Sequence, residues 1–400
     1  MPVSNSGPDS ESAMQPHPAL LPVGLADILP PAAERESAAA ERALGVLRAH
    51  GYEETAPPML EFEESFLTGG GEPLARETFR MMDPASQRML ALRSDMTPQI
   101  ARIASTRLAG APRPLRLCYL GLVLRVSGGR AGAERQFRQA GAELIGAPQP
   151  EADAEIVLLA AKALAAIGVE KVSVDLNVPR LAGEVAANHG VDPENTGALT
   201  AALDRKDVAE ARRLAPAGAA DAMEGLIRAG GPDDVAFEAI KTVEVGAEAR
   251  GRVERLQGIV ALIRAAAPDL ALTVDFVEHR GFDYHTGVAF SLFAEGHAGE
   301  LGRGGRYRAP TVAGGDPEGE PAVGFTLFMD AAGRAATPPL PQKRVFVPLG
   351  AGAGAQAAVV AEGHAAVAGL EAVPDDAAEA KRLGCAALWR AGAIIDLEQE

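Results

Sequence analysis

At 400 residues with 47% hydrophobic content, the chain is long enough to bury a substantial core without staples. Its formal net charge of −16 argues against a surface built to neutralise a phosphate backbone, which depends on clustered Lys and Arg displacing counterions. Cys118 and Cys385 are too few for a disulfide framework or a thiolate zinc site and point to a reducing, cytoplasmic setting, and no apolar run approaches the roughly 20 residues that cross a bilayer.

The polar start MPVSNSGPDSES has neither the basic nor the apolar segment of a signal peptide, so residues 1–19 are expected to be disordered. In "PVGLADILPPAAERESAAAERALGVLRAHGY" a double proline opens a long helix and Gly51 closes it. Residues 52–148 mix short apolar runs ("PPMLEFEESF", "RMLALRSD", "LRLCYLGLVLRV", "QFRQAGAELIG") with one helix at "MTPQIARIASTRLA". "EADAEIVLLAAKALAAIGV" reads as an amphipathic helix ending at Gly168, and "KVSVDLNV" as the strand after it. From about 180 to 265 the chain turns Ala-, Glu- and Arg-rich with helical spacing, a helical insertion. Strands return at "LALTVDFV", "GVAFSLFA" and "PAVGFTLF". Strands that cluster in two blocks predict an α+β fold, an antiparallel sheet flanked by helices, over residues 20–335. A Pro-rich linker, 336–342, leads to a tail, 343–400, that is expected to start with the strand "RVFVPLG" and continue as Ala-rich helices.

Several segments carry groups that could hold a ligand, and each also has a plain structural reading. "GRGGRYR", Gly302 to Arg308, could cradle a phosphate or form a hairpin, and it does not match the spacing of the common nucleotide loops. Arg125, Arg130 and Arg135 lie on what reads as a flexible, solvated loop between two strands. Asp95 and Thr97 in "LRSDMTP" either cap a helix or receive an ammonium group. Gln139 and Glu143, four apart on a strand, share one face, where a buried carboxylate is costly unless paired. In "VEHRGFDYHTGVAF", Arg280 could pair with Asp283, and Tyr284 could be a core aromatic.

Taken in order, "GLADILP", "LRSDMTP", the loop from Arg125 to Gln139, "RGFDYHTG", "GRGGRY" and "PAVGF" resemble the catalytic core of histidyl-tRNA synthetase, a class II aminoacyl-tRNA synthetase fold. "LDRKD" is similar to that family's helical insertion. The resemblance spans roughly residues 20–330. It implies that Asp95, Thr97 and Gln139 hold the α-ammonium of histidine, that Arg280 reaches its carboxylate, and that Glu143 and Tyr284 address the imidazole. One departure is His285, where the family usually has a second tyrosine.

The ATP side departs further. Arg125 keeps the phosphate-binding position, but the acidic residue expected after it is Ser127, a later arginine is Ala133, and the arginine of the last motif is replaced by Ala331. A guanidinium fork has no substitute in alanine, so ATP activation is expected to be lost. The short tail, ending "DLEQE", offers Phe346 and Trp389 with little positive charge for an RNA loop. A kept histidine pocket beside a degraded ATP site resembles the regulatory subunit of ATP phosphoribosyltransferase, a noncatalytic synthetase paralogue. That resemblance implies a short-form catalytic subunit as partner, free histidine as effector at Asp95, Thr97, Arg125, Gln139, Glu143, Arg280, Tyr284 and His285, and a homodimer inside a hetero-oligomer. It also implies no catalytic residue, cofactor, metal, nucleic acid or membrane. A divergent active synthetase and a free-standing histidine sensor remain the alternatives.

Overall fold

Helix Ala32–Ala49 follows the double proline and presents Ala39, Ala40, Ala43, Leu44 and Leu47 inward, the spacing that lines up one helical face. It ends at Gly51, whose φ of +82° suits a residue without a side chain. This element belongs to the first of two compact units, residues 1–337 and 338–400. The computed structural model describes residues 20–67, 71–127, 134–216, 218–279, 284–311, 318–337 and 342–397.

A nine-stranded sheet forms the centre of the first unit, in the spatial order Glu53–Glu54, Leu115–Leu124, Gln136–Ile145, Glu320–Phe328, Gly302–Ala309, Ala289–Ala294, Val172–Asn177, Ala271–Asp275 and Gly231–Pro232. The run from Leu115–Leu124 to Val172–Asn177 is antiparallel throughout. Parallel pairs occur only where Glu53–Glu54 and Ala271–Asp275 join it. Because side chains alternate along a strand, Gln136–Ile145 sends Ala140, Ala142 and Leu144 to one face and Gly141, Glu143 and Ile145 to the other. Helices Ala32–Ala49, Pro150–Ala166 and Ala247–Ala266 pack together over the first face in one extended core. Helix Thr97–Thr106 covers part of the second with Met96, Ile100, Ala101 and Ala104 against Leu115, Leu117 and Tyr119. The start of that helix therefore overlooks the polar positions of the sheet.

Between residues 181 and 266 the described residues form six helices, two of them capped by Asp192 and Asp207. A small separate sheet, Leu60–Phe62, Met89–Leu92 and Arg80–Met82, stands beside the start of helix Thr97–Thr106.

Two expectations need correction. "GRGGRYR" is neither a hairpin nor a phosphate loop but the body of a central strand, Gly302–Ala309, buried along most of its length. Its glycines give clearance: a side chain at Gly304 would collide with the Gly324 carbonyl and the Phe290 ring. The second unit holds four strands ordered Ala365–Ala368, Arg344–Val347, Ala387–Arg390 and Ala393–Asp396, with helices Ala355–Ala361 and Asp376–Arg382, where the sequence suggests mainly helices after the first strand. The later strands, AAVA, ALWR and AIID, have only four residues each, too few to display a period of two. Among the described residues, no helix is long and apolar enough to cross a membrane.

Candidate functional site

The register of the sheet builds the site. Glu143 pairs with Gly324, Gly324 with Gly305, Gly305 with Ala289, Ala289 with Asn177 and Asn177 with Asp275. Residues opposite one another share a face, so one row crosses six strands with polar groups at both ends and three small residues between. A side chain at Gly324 would land on Glu143 Oε2. The glycine of "PAVGF" is thus required by the carboxylate that lies over it.

Glu143 is buried, and its oxygens are nevertheless well supplied. Oε1 accepts from Thr97 Oγ1 at 2.9 Å, and Oε2 accepts from the Tyr307 hydroxyl at 2.9 Å, with the Tyr119 hydroxyl at 3.5 Å from Oε1. Tyr119 in turn shares a 2.6 Å hydrogen bond with Thr326 Oγ1. Burial pushes the Glu143 carboxyl up from its ordinary 4.5 to about 8; the three hydroxyl donors hold it down, and the nearby Asp95 carboxylate raises it further. At neutral pH this acid is mostly protonated. Burial also drives the Tyr119 and Tyr307 hydroxyls far above their usual range, so both remain donors.

The start of helix Thr97–Thr106 supplies the next layer. Thr97 N–H donates to Asp95 Oδ1 at 2.9 Å, the short side chain turning the backbone into the helix. Gln139, fully buried, accepts from Met96 N–H through Oε1 at 3.0 Å and donates through Nε2 to Asp95 Oδ2 at 3.2 Å. Arg125 places Nη2 3.6 Å from Asp95 Oδ2 and donates from Nε to the Ser94 carbonyl at 3.2 Å. Asp95, Thr97, Gln139 and Glu143 form one connected polar chain, with Arg125 at its outer end.

Tyr284 and His285 close the other side. Their rings lie 4.0 Å apart, Tyr284 approaches the Tyr307 ring edge-on at 6.1 Å, and Tyr284 is half-exposed while His285 is buried. A side chain at Gly305 would come within 2.5 Å of His285 Cδ2, so the imidazole covers the glycine in the middle of the row. Arg280 and Asp283, like Arg130 and Ala133, lie outside the described residues.

The sequence reading missed Tyr119, Tyr307 and Thr326. A usable signal was composition: of only four tyrosines in the chain, Tyr119, Tyr284 and Tyr307 converge here. Arg306, next to Tyr307, faces the opposite way. It grips Asp153 with Nε at 2.8 Å and Nη2 at 3.0 Å and donates to the Ala147 carbonyl, tying the sheet to the start of helix Pro150–Ala166. Arg135 is also structural, donating to the Arg125 and Val23 carbonyls rather than projecting into solvent as expected. Gly24, with φ +81°, leaves room for its stem.

A family model described as histidyl-tRNA synthetase matches residues 24–332. An ATP phosphoribosyltransferase regulatory subunit from Rhodospirillum centenum is 48% identical over 390 residues, which is 97% of this chain and 99% of the relative. The chain belongs to the ATP phosphoribosyltransferase regulatory subunit family. Another regulatory subunit, from Paramagnetospirillum magneticum, is 47% identical over 95% of this chain and 98% of its own length. A solved structure from Bacillus halodurans C, described as an ATP phosphoribosyltransferase regulatory subunit/histidyl-tRNA synthetase, superposes with a TM-score of 0.78 at 22% identity, covering 92% of this chain and 97% of that one. The fold is therefore of the class II synthetase type.

As a regulatory subunit of an enzyme of histidine biosynthesis, the chain is a noncatalytic synthetase paralogue. Ser127 and Ala331 are departures from the synthetase motifs that fall within the described residues. Ser127 donates to the Glu77 carboxylate at 3.1 Å and 3.2 Å, and Ala331 lies within helix Met329–Ala335.

Proposed function

We propose that the Glu143 pocket holds free histidine, and that through it the subunit delivers feedback control to a short-form ATP phosphoribosyltransferase catalytic subunit in the cytoplasm. The observation that carries this reading is the buried Glu143 carboxyl with its raised pKa, set over Gly324 beside the glycine that His285 covers. An imidazole with an ordinary pKa of about 6.5 next to an acid at about 8 needs a single proton between them, whichever partner holds it. Around pH 7 free histidine and the pocket together bring that one proton. The ligand's α-ammonium falls to Asp95, Thr97 and Gln139, and its carboxylate to Arg280. Tyr284 and His285 form the wall.

Control of a partner requires histidine to bind one assembly state better than another; the catalytic subunit's ligands then shift histidine binding by the same factor. A homodimer within the mixed assembly is supported by the small sheet, which leaves Leu60, Met81, Met82 and Met89 exposed.

The test is to mix the full chain with the catalytic subunit and follow transferase turnover with and without histidine. Turnover should rise on mixing and fall with histidine. Glu143→Ala should preserve the rise while moving half-inhibition to about tenfold or more higher histidine, the value of a charge-assisted hydrogen bond. No rise on mixing, or inhibition untouched by Glu143→Ala, would overturn the proposal.

A further inference from the structure

At the far end of the same row stands a second polar cluster that the histidine pocket does not use. Asp175 and Asn177 alternate onto one face of strand Val172–Asn177, and Asp275 sits opposite Asn177 on the parallel neighbour. Three residues on, Glu278 folds back, so that ligand oxygens of Asp175, Asp275 and Glu278 all lie within 4.8 Å of one another. An oxygen shell with bonds of 2.3–2.6 Å spans about that distance across its diameter.

The cluster is charged and only partly compensated. Lys206 Nζ lies 2.6 Å from Asp275 Oδ2, one ammonium among three carboxylates. Asp275 Oδ1 is occupied by the N–H groups of Val277 and Glu278, at 2.9 Å and 3.2 Å, and Asp175 Oδ1 accepts from Thr273 Oγ1 at 2.9 Å.

Asn177 gives the independent sign. It is fully buried, and its Nδ2 donates to Glu278 Oε2 at 3.2 Å, which fixes the orientation of the carboxamide beside the cluster. Among the described residues, its Oδ1 then has no hydrogen-bond partner. A buried carbonyl oxygen left without a donor costs free energy that a bound cation would recover. Asp175 and Glu278 are each partly open to solvent, which leaves an entry path.

We propose that Asp175, Asn177, Asp275 and Glu278 form a site for a hard divalent cation that prefers oxygen ligands. The donor set is three carboxylates and one amide carbonyl, with no nitrogen or sulfur, which selects the magnesium, calcium and manganese class. Taken by themselves, Lys206 and the three carboxylates carry a net charge of −2 when the carboxylates are ionised, the charge that such an ion neutralises. Because Asp275 anchors the backbone of Val277 and Glu278, the ion would brace the turn at those two residues.

The test is a titration of the chelator-stripped full chain with Mn²⁺, read by electron paramagnetic resonance at pH 8, with a parallel calorimetric titration of histidine. One saturable site with a Kd on the order of 10⁻⁴ M or tighter is expected, weakened about tenfold or more in Asp175→Asn and in Glu278→Gln. Unchanged thermal midpoints in chelator would show that both variants are folded. No saturable Mn²⁺ binding by the native chain, or equal binding by both folded variants, would overturn the site. The histidine titration is independent of it, so a failed pocket and a failed cation site are told apart.

Discussion

Glu143→Gln is expected to change how stability responds to pH more than it changes stability at acid pH. The folded carboxyl titrates at about 8 and the unfolded one near 4.5, so folding takes up a proton between those values. A carboxyl raised by folding stabilises only while it is protonated, and the native chain therefore loses stability as pH climbs from 4.5 to 8. That gap, at 1.36 kcal/mol per pH unit, amounts to about 5 kcal/mol. Glutamine keeps the shape and some of the hydrogen bonding but cannot ionise, so its slope over the window should be shallower by up to that amount. Urea unfolding of both proteins at pH 5, 7 and 9, without histidine, measures the difference. Subtracting one from the other cancels the remaining raised carboxyls, Glu278 and Asp175 among them. Parallel stability profiles for the two proteins would refute the reasoning.

Gly324→Ala should cost about 1–3 kcal/mol in thermal or urea unfolding and abolish histidine binding, because the new methyl collides with Glu143 Oε2. Gly258→Ala, in open space on helix Ala247–Ala266, is the control and should gain up to about 1 kcal/mol. Arg306→Ala strips Asp153 of its two-pronged partner, leaving Arg255 alone among the described residues, and should cost about 3–5 kcal/mol in urea unfolding. Arg306→Lys should rescue little of that, since an ammonium cannot reproduce two parallel bonds.

Much of the site could be read in the sequence because it rests on local features. "LRSDMTP" places Asp95 and Thr97 at a helix start, and the four-residue spacing puts Gln139 and Glu143 on one face. What register decides could not be read. Tyr307 and Arg306 are adjacent, yet one donates to Glu143 while the other holds Asp153 on the opposite face. Choosing between them requires knowing that Gly305, not Gly304, shares a row with Gly324 and Glu143. The Gly-rich strand is hidden from a local reading for the same reason, since its glycines answer to neighbouring strands rather than to a turn. Arg135 looked like a loop residue because its partners, the Val23 and Arg125 carbonyls, include one 112 residues away in the chain.

The most direct measurement of the central claim is a calorimetric titration of histidine into the full chain at pH 5, 7 and 9. A pocket that shares one proton between Glu143 and imidazole predicts tightest binding near pH 7. Affinity should fall about tenfold or more by pH 5, where both groups carry protons, and again by pH 9, where neither does. In Glu143→Gln the pH 9 to pH 7 difference should shrink. Absence of binding at pH 7, or an affinity that does not pass through a maximum between pH 5 and pH 9, would contradict the account.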